Sequence, residues 1–560
     1  MQTTFNYDHY YDWLEMSECL KHLLKQYPSL MQLESICVSE EGKDVWAVTL
    51  TDSSAKEAAA KPAYYIDGNH HAGEVTGSMA AMYTVDLLCT NYNKDEKITD
   101  LLKNYTFYII PKISPDGSDV YLHSDQRLRS VNRNYPLSEL ADGLHPGDID
   151  GDGVIRMMRV KTPYGAWKVS EKDSQVMTKR TPFDVQGDFY NIYPEGEIIN
   201  YDGLHIELAK EKWGLDFNRN YPFGWFSEVR QPGAGKYPLS NPENKAVADF
   251  VLAHPNIGFV STLHTTGGVL VYPPGTYPEA KALKKDMDLF KKVGKMAKQI
   301  MGYETVNIFD GFLTDIENYS SGAFDDWCYE TQGIPAYTIE LWNLFERAGA
   351  DMSWPRKDKD DDVQEAEYAM VLKWIKENIG ESAIKPWTAF DHPQLGPVEI
   401  GGFDYKFIHQ NPPCDYLLQE VEKTAKFMLA NAYALPKLKF ESVKTEKICD
   451  GIYKLEAVLG NTGYMPTYLT DSAKRQKIDQ PVHIALSGCE VIEGEAVLMV
   501  NALEGVSGVN TYYGYDGITT QKHAPQLKRF TWIISGKQND LVTLTATSQK
   551  AGKASIQCVL

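Results

Sequence analysis

The sequence holds no apolar run approaching the length of a membrane-spanning helix, which leaves no candidate for a transmembrane segment. Its eight cysteines, at positions 19, 37, 89, 328, 414, 449, 489 and 558, form no CxxC pair and keep no regular spacing. A paired-cysteine motif is thereby excluded, and scattered buried thiols remain. Positive charge is also short: 56 Lys and Arg face 76 Asp and Glu, for a net charge of −20. A general nucleic-acid binder neutralises phosphates with clustered Lys and Arg, so that class is set aside. There is no GxSxG or comparable nucleophile turn, which removes Ser-His-Asp catalysis. Repeats of fixed period and low-complexity tracts are absent as well. The opening MQTTFNYDHYYDW lacks the basic and apolar segments of a secretion signal. A chain whose signal had been removed would read identically, and a secreted or periplasmic location is the expectation in that case.

What is present is an ordinary globular composition, 43% hydrophobic and 24% charged, over a length that one core rarely serves. Two or three domains are expected. The charge is uneven: from Lys437 to Lys553 the chain carries 14 basic and 12 acidic residues, so the negative excess lies before Pro436. Residues 1–110 alternate helical and extended patterns, the mark of an α/β layout. A helix is expected around Cys19 to Gln26 and from about Val75 to Cys89, with strands at Val45 to Leu50, AYYID (63–67), YTFYII (105–110), GFVSTL (258–263) and AYTIEL (336–341). Residues 118–210, rich in Gly, Pro and Asp, read as a large insertion on the rim. A helix around Glu365 to Ile379 and another near Leu417 to Ala434 follow. The expected division is a catalytic domain over 1–380, a helical extension and linker over 381–435, and a third domain over 436–560. There KLEAVL, VHIALSG, EAVLMVNAL, RFTWIIS and DLVTLTATS alternate with Gly, Asn and Asp turns, the pattern of an immunoglobulin-like all-β sandwich without helical interruption.

The sharpest chemical feature is DGNHHAGE (67–74), directly after the AYYID strand. His71 and Glu74, three apart on a tight turn, can supply two metal ligands from one segment, and a hydrolytic zinc site needs few such ligands plus an open position for water. Its placement fits, because ligands of open α/β folds gather beyond the carboxyl ends of strands. His264 ends the run GFVSTLH at another such position; His70 and His254 are further candidates for a third ligand.

Other segments follow in an order that resembles the zinc carboxypeptidase family. PKISPDG (111–117) is similar to its Pro-x-x-Asn-Pro-Asp-Gly turn, with Ser114 replacing Asn; LDFNRNYPFGW (215–225) is similar to its Asn-Arg motif. YSSGAFDDW (319–327) resembles its tyrosine-bearing specificity segment, and YTIEL (337–341) its strand with a glutamate. KHLLKQYPSL and EEGKDVWAV resemble its opening helix and strand. The resemblance covers roughly residues 5–380 and implies a mixed-sheet α/β catalytic domain ahead of the β sandwich. It further implies one Zn²⁺ held by His71, Glu74 and His264, a general base in Glu340, a carboxylate clamp in Asn218 and Arg219, and a capping Tyr319.

The oxyanion cation is expected within RLRSVNR (127–133), where spacing differs from the family and its usual tryptophan is missing; Arg129 is chosen over Arg133 and Arg127. VNRNYP (131–136) nearly duplicates FNRNYP (217–222), and the flanks Leu215-Asp216 and Phe223-Gly224-Trp225 favour the second as clamp. Asp325 matches the family position facing the departing side chain, where an acid favours Lys or Arg, although the segment is one residue shorter than the common pattern. In DIDGDG (148–153), Asp148, Asp150 and Asp152 stand at the alternate spacing of a Ca²⁺ loop, but position 159, where an EF-hand glutamate belongs, is Arg159. A structural Ca²⁺ and a plain Asp-Gly turn both remain open. The implied function is a metallocarboxypeptidase acting on peptides. A related zinc amidase or endopeptidase of cell-wall peptides, and an inactive peptide-binding homologue, are the alternatives; oligomeric state is left open.

Overall fold

The computed structural model describes residues 2–560 apart from 314, 316, 318, 509–510, 514–518 and 522–525. Four strands, Thr106–Ile110, Ala63–Gly68, Ile257–Thr265 and Ala336–Leu341, lie side by side in that order and run parallel. Each is buried at every position, so the sequence shows continuous apolar runs there rather than alternation. The hairpin Met31–Val38 and Asp44–Leu50 extends the sheet on one side, and Val269–Tyr272 with Glu304–Asn307 on the other, giving eight strands of mixed direction. Parallel neighbours put several strand ends at one edge, and the segments that follow those ends carry the chemistry.

Helix Val75–Asn91 is buried along its whole length, with helix Cys414–Ala432 packed against it. An all-round apolar helix is one that sits inside a fold rather than on it. Two glycines let it begin against the sheet. A Cβ on Gly68 would stand 2.7 Å from the Gly77 carbonyl carbon, and one on Gly77 would stand 2.6 Å from the Leu263 oxygen. The close crossing fixes where the loop 69–74 emerges.

The region read as a rim insertion builds a sheet of its own, and so does the segment read as a helical extension. Met157–Lys161, Tyr190–Pro194, Trp167–Val169 and Met177–Lys179 join the hairpin Ile384–His392 and Gly396–Phe403 in six antiparallel strands. The 381–435 stretch is therefore strand first and helix second. Arg159 links the two parts, its Nε 2.8 Å from Glu399 Oε2 while its guanidinium stacks on Tyr190 and Trp387.

Beyond Pro436, two four-stranded antiparallel sheets enclose a separate core that includes Leu455, Trp532, Ile484 and Leu544. A helix does interrupt this unit, contrary to the expectation: Asp471–Gln476, whose first turn is capped when Thr470 Oγ1 accepts from Ala473 N at 3.1 Å. Among the described residues no helix is long and apolar enough to cross a membrane.

Candidate metal and substrate site

The loop after strand Ala63–Gly68 turns at Asn69, which adopts φ 68°. Asparagine tolerates this left-handed backbone because its side chain bonds locally, and here Nδ2 donates to His71 O at 2.7 Å and Ala72 O at 3.1 Å. The loop is held from outside too. Ser114 Oγ and Ser130 Oγ both donate to His70 O, at 3.1 and 2.8 Å, and Ala72 N donates to Arg129 O at 2.7 Å. Ser114, the residue that departs from the family turn, is thus a working support of the loop.

Three buried ligand atoms converge. His71 Nδ1 lies 2.8 Å from Glu74 Oε1, His264 Nδ1 lies 2.8 Å from Glu74 Oε2, and the two Nδ1 atoms are 3.1 Å apart. His71, Glu74 and His264 can hold a metal ion as a group. Burial alone would raise the Glu74 pKa, but His71 and His264 more than offset it and hold the carboxyl well below the usual range. Burial lowers that of His264. The donor set suits zinc, and each imidazole is steadied on its far side. His71 Nε2 faces Asp216 Oδ1 at 3.1 Å; His264 Nε2 is 3.3 Å from Thr262 Oγ1, which donates to Asp67 Oδ1 at 2.6 Å.

Of the other histidines considered, His70 bonds Tyr221 OH through Nε2 at 2.9 Å, and its Nδ1 turns to Thr262 at 3.2 Å. His254 bonds Phe250 O and packs between the Phe250 and Tyr108 rings. Neither joins the cluster.

A cavity of about 240 Å³ opens on the three ligands and is also lined by Arg129, Asn218, Arg219, Asp325, Asp326, Thr338 and Glu340. Glu340 pairs in register with His264 on the adjacent strand. Burial, then the Glu74 carboxylate, pushes its pKa well above the usual range. Arg129 is the member of its trio that reaches the site: Nε is 2.8 Å from Asp216 Oδ2, and NH1 is 3.6 Å from Glu74 Oε1. Arg133 is committed elsewhere, forking onto Glu243 at 2.9 and 2.8 Å, and Arg127 donates to Ile155 O while its guanidinium lies 4.6 Å from the Tyr405 ring.

Asn218 Oδ1 accepts from Phe324 N at 2.9 Å, and Arg219 NH1 donates to Asn218 O at 2.7 Å. Asp325 accepts from Thr338 Oγ1 at 2.6 Å, and Asp326 from Gly275 N at 2.9 Å. Burial and then Asp325 push the Asp326 carboxyl well above its ordinary range. Tyr319 is the exception among the expected residues. It is not part of the cavity lining, and its ring sits 6.1 Å from Phe226 and 6.2 Å from Phe309 with the Arg230 guanidinium 5.4 Å away.

In the acidic loop the three aspartates bond protein groups. Asp148 accepts from the backbone of Gly151, Asp152 and Gly153; Lys385 pairs with Asp150 and Asp152, and Arg156 with Asp152. The third carboxylate that converges with Asp148 and Asp150 belongs to Glu195, not Asp152. Asp216 joins the site although its residue type alone assigns it no role in the sequence. Its position ahead of Asn218 and Arg219 in LDFNRN was the available signal.

A family model described as zinc carboxypeptidase matches residues 16–347, and one described as a domain of unknown function matches residues 437–559. The chain is 26% identical over 152 residues to carboxypeptidase D of Homo sapiens, covering 25% of this chain and 11% of that protein. It is 24% identical over 340 residues to carboxypeptidase B of Astacus astacus, covering 59% and 86%. The match thus spans about a tenth of the length of the carboxypeptidase D relatives. Among solved structures, carboxypeptidase A from Helicoverpa armigera aligns at a TM-score of 0.42 with 17% identity, covering 67% of this chain and 75% of that one.

Proposed function

Because the chain belongs to the zinc carboxypeptidase family, whose model spans more than half of it, we propose that it is a metallocarboxypeptidase that releases the C-terminal residue of peptides. The observation that carries this reading is one cavity joining the His71-Glu74-His264 cluster to the Glu340 carboxylate and the Arg219 guanidinium.

His71, Glu74 and His264 would hold Zn²⁺, which supplies Lewis acidity toward a carbonyl and a water. Glu340 takes the proton of the attacking water and hands it to the departing amine. Arg129 lines the same cavity, where a guanidinium stabilises the charge that develops on the carbonyl oxygen. Its pairing with Asp216 through Nε at 2.8 Å orients it toward the cavity, with NH1 3.6 Å from Glu74 Oε1. Arg219 forks onto the terminal carboxylate and Asn218 adds a donor, its Oδ1 already fixed by Phe324 N. Tyr319 caps the bound residue only after leaving its place beside Phe226 and Phe309.

Amidating the peptide terminus tests the reading. Losing a charge-assisted clamp removes roughly 1.5–3 kcal/mol of transition-state binding, a rate loss of about ten- to a hundredfold. Cleavage of the free peptide, followed by mass spectrometry, should show single residues released in a chelator-sensitive way. Equal rates on free and amidated peptides would overturn the exopeptidase reading and leave an endopeptidase.

A further inference from the structure

Helix Phe324–Gln332 carries Asp325 and Asp326 at its first turn, where they line the cavity. Glu330 lies four residues beyond Asp326, on the same face. Three carboxylates on one nine-residue helix are therefore buried together, at 2%, 1% and 6% exposure. Burying carboxyl groups side by side, charged or held neutral, costs free energy and favours a helix that turns out toward water unless something holds it.

The restraint comes from the C-terminal unit. Arg475 NH2 lies 3.0 Å from Glu330 Oε2, and Gln476 Nε2 donates to the Glu330 carbonyl. Thr470 Oγ1 donates to Gly333 O at 2.7 Å, just past the end of the helix. Gly333 has φ 63°, and a Cβ there would stand 2.5 Å from that of Ala473, so the two units touch without space for a side chain. Asp286 completes the grip: it accepts from Asp471 N and Ser472 N at 2.7 and 2.9 Å and from Tyr329 OH at 2.9 Å. On the cavity side, Tyr277 OH donates to the other Glu330 oxygen, and Tyr277 lies two residues from Gly275, whose N–H fixes Asp326.

We propose that the C-terminal β unit is a brace for substrate selection, in which the hook Thr470–Gln476 sets the position of helix Phe324–Gln332 and Arg475 acts as a positioning residue for Asp325 and Asp326. The chain of contacts is continuous, from Arg475 through Glu330 and Tyr277 to the Gly275 turn, and from Thr470 through Gly333 to the helix end. It also explains why the one ion pair on the buried Glu330, among the described residues, uses a cation from outside the acidic catalytic part. Among the described residues Arg475 bonds Glu330 and Tyr277, neither of which lines the cavity or belongs to the metal cluster, so its effect belongs to substrate binding rather than to metal binding or the chemical step. The selection role rests on the function proposed above, whereas the mechanical role does not.

The test uses the full-length protein, with Arg475→Gln, the rescue Arg475→Lys, and Arg529→Gln on an exposed strand as control. Amide hydrogen exchange over residues 324–332 and 275–277 should quicken by about tenfold in Arg475→Gln, return toward wild type in Arg475→Lys and stay unchanged in the control. Bound zinc and kcat should hold, while KM for peptides ending in Lys or Arg rises by about tenfold. Thr470→Val, which removes the tether at the helix end, should give the same pattern. Unchanged exchange in both Arg475→Gln and Thr470→Val would overturn the brace, as would a KM that stays at the wild-type value. If the wild-type enzyme releases no C-terminal residue, the proposed function fails, and the exchange measurement still decides whether the hook holds the helix.

Discussion

His71 Nε2 faces Asp216 Oδ1 at 3.1 Å, while the other Asp216 oxygen takes Arg129 Nε at 2.8 Å. One carboxylate therefore fixes the tautomer of an expected zinc ligand and the direction of the cation beside it. With the proton on Nε2, the Nδ1 lone pair is left pointing at Glu74 and His264. Arg129, Arg219 and His71 outweigh burial and keep Asp216 charged, its pKa well below the ordinary range.

Asp216→Asn should accordingly weaken zinc binding by about 10- to 100-fold, the usual effect of losing such a partner. Competition with a chromophoric chelator measures it directly. An affinity equal to wild type would show that Asp216 serves Arg129 alone.

Glu340 makes a different prediction because it lines the cavity without joining the metal cluster. Glu340→Gln should retain stoichiometric zinc and lose about 10²- to 10⁴-fold in kcat, the range for a positioned acid-base group. His71→Ala or His264→Ala should instead lose the metal. Metal analysis of the purified variants, set beside turnover, separates the two roles; a Glu340→Gln enzyme within tenfold of wild type would remove Glu340 from the mechanism.

Much of this was legible in the sequence, for physical reasons that differ by element. Buried parallel strands need apolar side chains on both faces, so Ala63–Gly68, Ile257–Thr265 and Ala336–Leu341 stand out as unbroken runs. The short strands of the insertion do not. Trp167–Val169 and Met177–Lys179 have three residues each, and in the 381–435 stretch Gly396–Phe403 carries three glycines and a proline that read as loop. Their sheet forms by pairing across the chain, as Arg159 does with Glu399, and local pattern holds no record of such distant partners. The ligands and Glu340 were visible because His264 and Glu340 occupy buried strands and His71 and Glu74 lie in the loop directly after one. The choice among Arg127, Arg129 and Arg133 was not decided by pattern, since it depends on what Glu243, Ile155 and Asp216 consume. Tyr319 was read by its place in a motif, and motif order does not show which way a loop ring is packed.

The insertion supplies a pH prediction. Glu195 is fully buried where it accepts from Arg156 N at 2.6 Å and Ile149 N at 3.2 Å, and burial pushes its pKa up to about 7 from an ordinary 4.5. Between those two values the folded chain holds a proton that the unfolded chain has released, so this group's contribution is complete below 4.5 and is lost as pH rises through about 7. In Glu195→Gln the fall in unfolding free energy between about pH 5 and about pH 8 should be smaller than in wild type. Denaturant titrations at the two pH values measure it. An identical fall in both proteins would mean that Glu195 does not titrate in this window, as it would not beside a bound divalent cation.

The last prediction concerns which residue is released. Asp325 is 2% exposed, yet it lines the same cavity as Arg219, and its two oxygens each accept one protein hydrogen bond, from Thr338 Oγ1 and Asp326 N. A carboxylate has further acceptor sites after those bonds, and a buried one without a cation is expensive to keep. The side chain of a C-terminal Lys or Arg supplies that cation, whereas Phe or Leu leaves the acid unpaired. Asp326 is a poorer partner because its carboxyl is pushed toward the neutral form and is engaged by Gly275 N. Peptides ending in Lys or Arg should therefore be cut with higher kcat/KM than the same peptides ending in Phe. Asp325→Asn should shrink that ratio by about ten- to a hundredfold, the value of roughly 1.5–3 kcal/mol for one charge-assisted bond. Asp326→Asn should shrink it less. A wild-type preference for Phe, or a ratio that Asp325→Asn leaves unchanged, would mean that the buried acids shape the pocket without selecting its occupant.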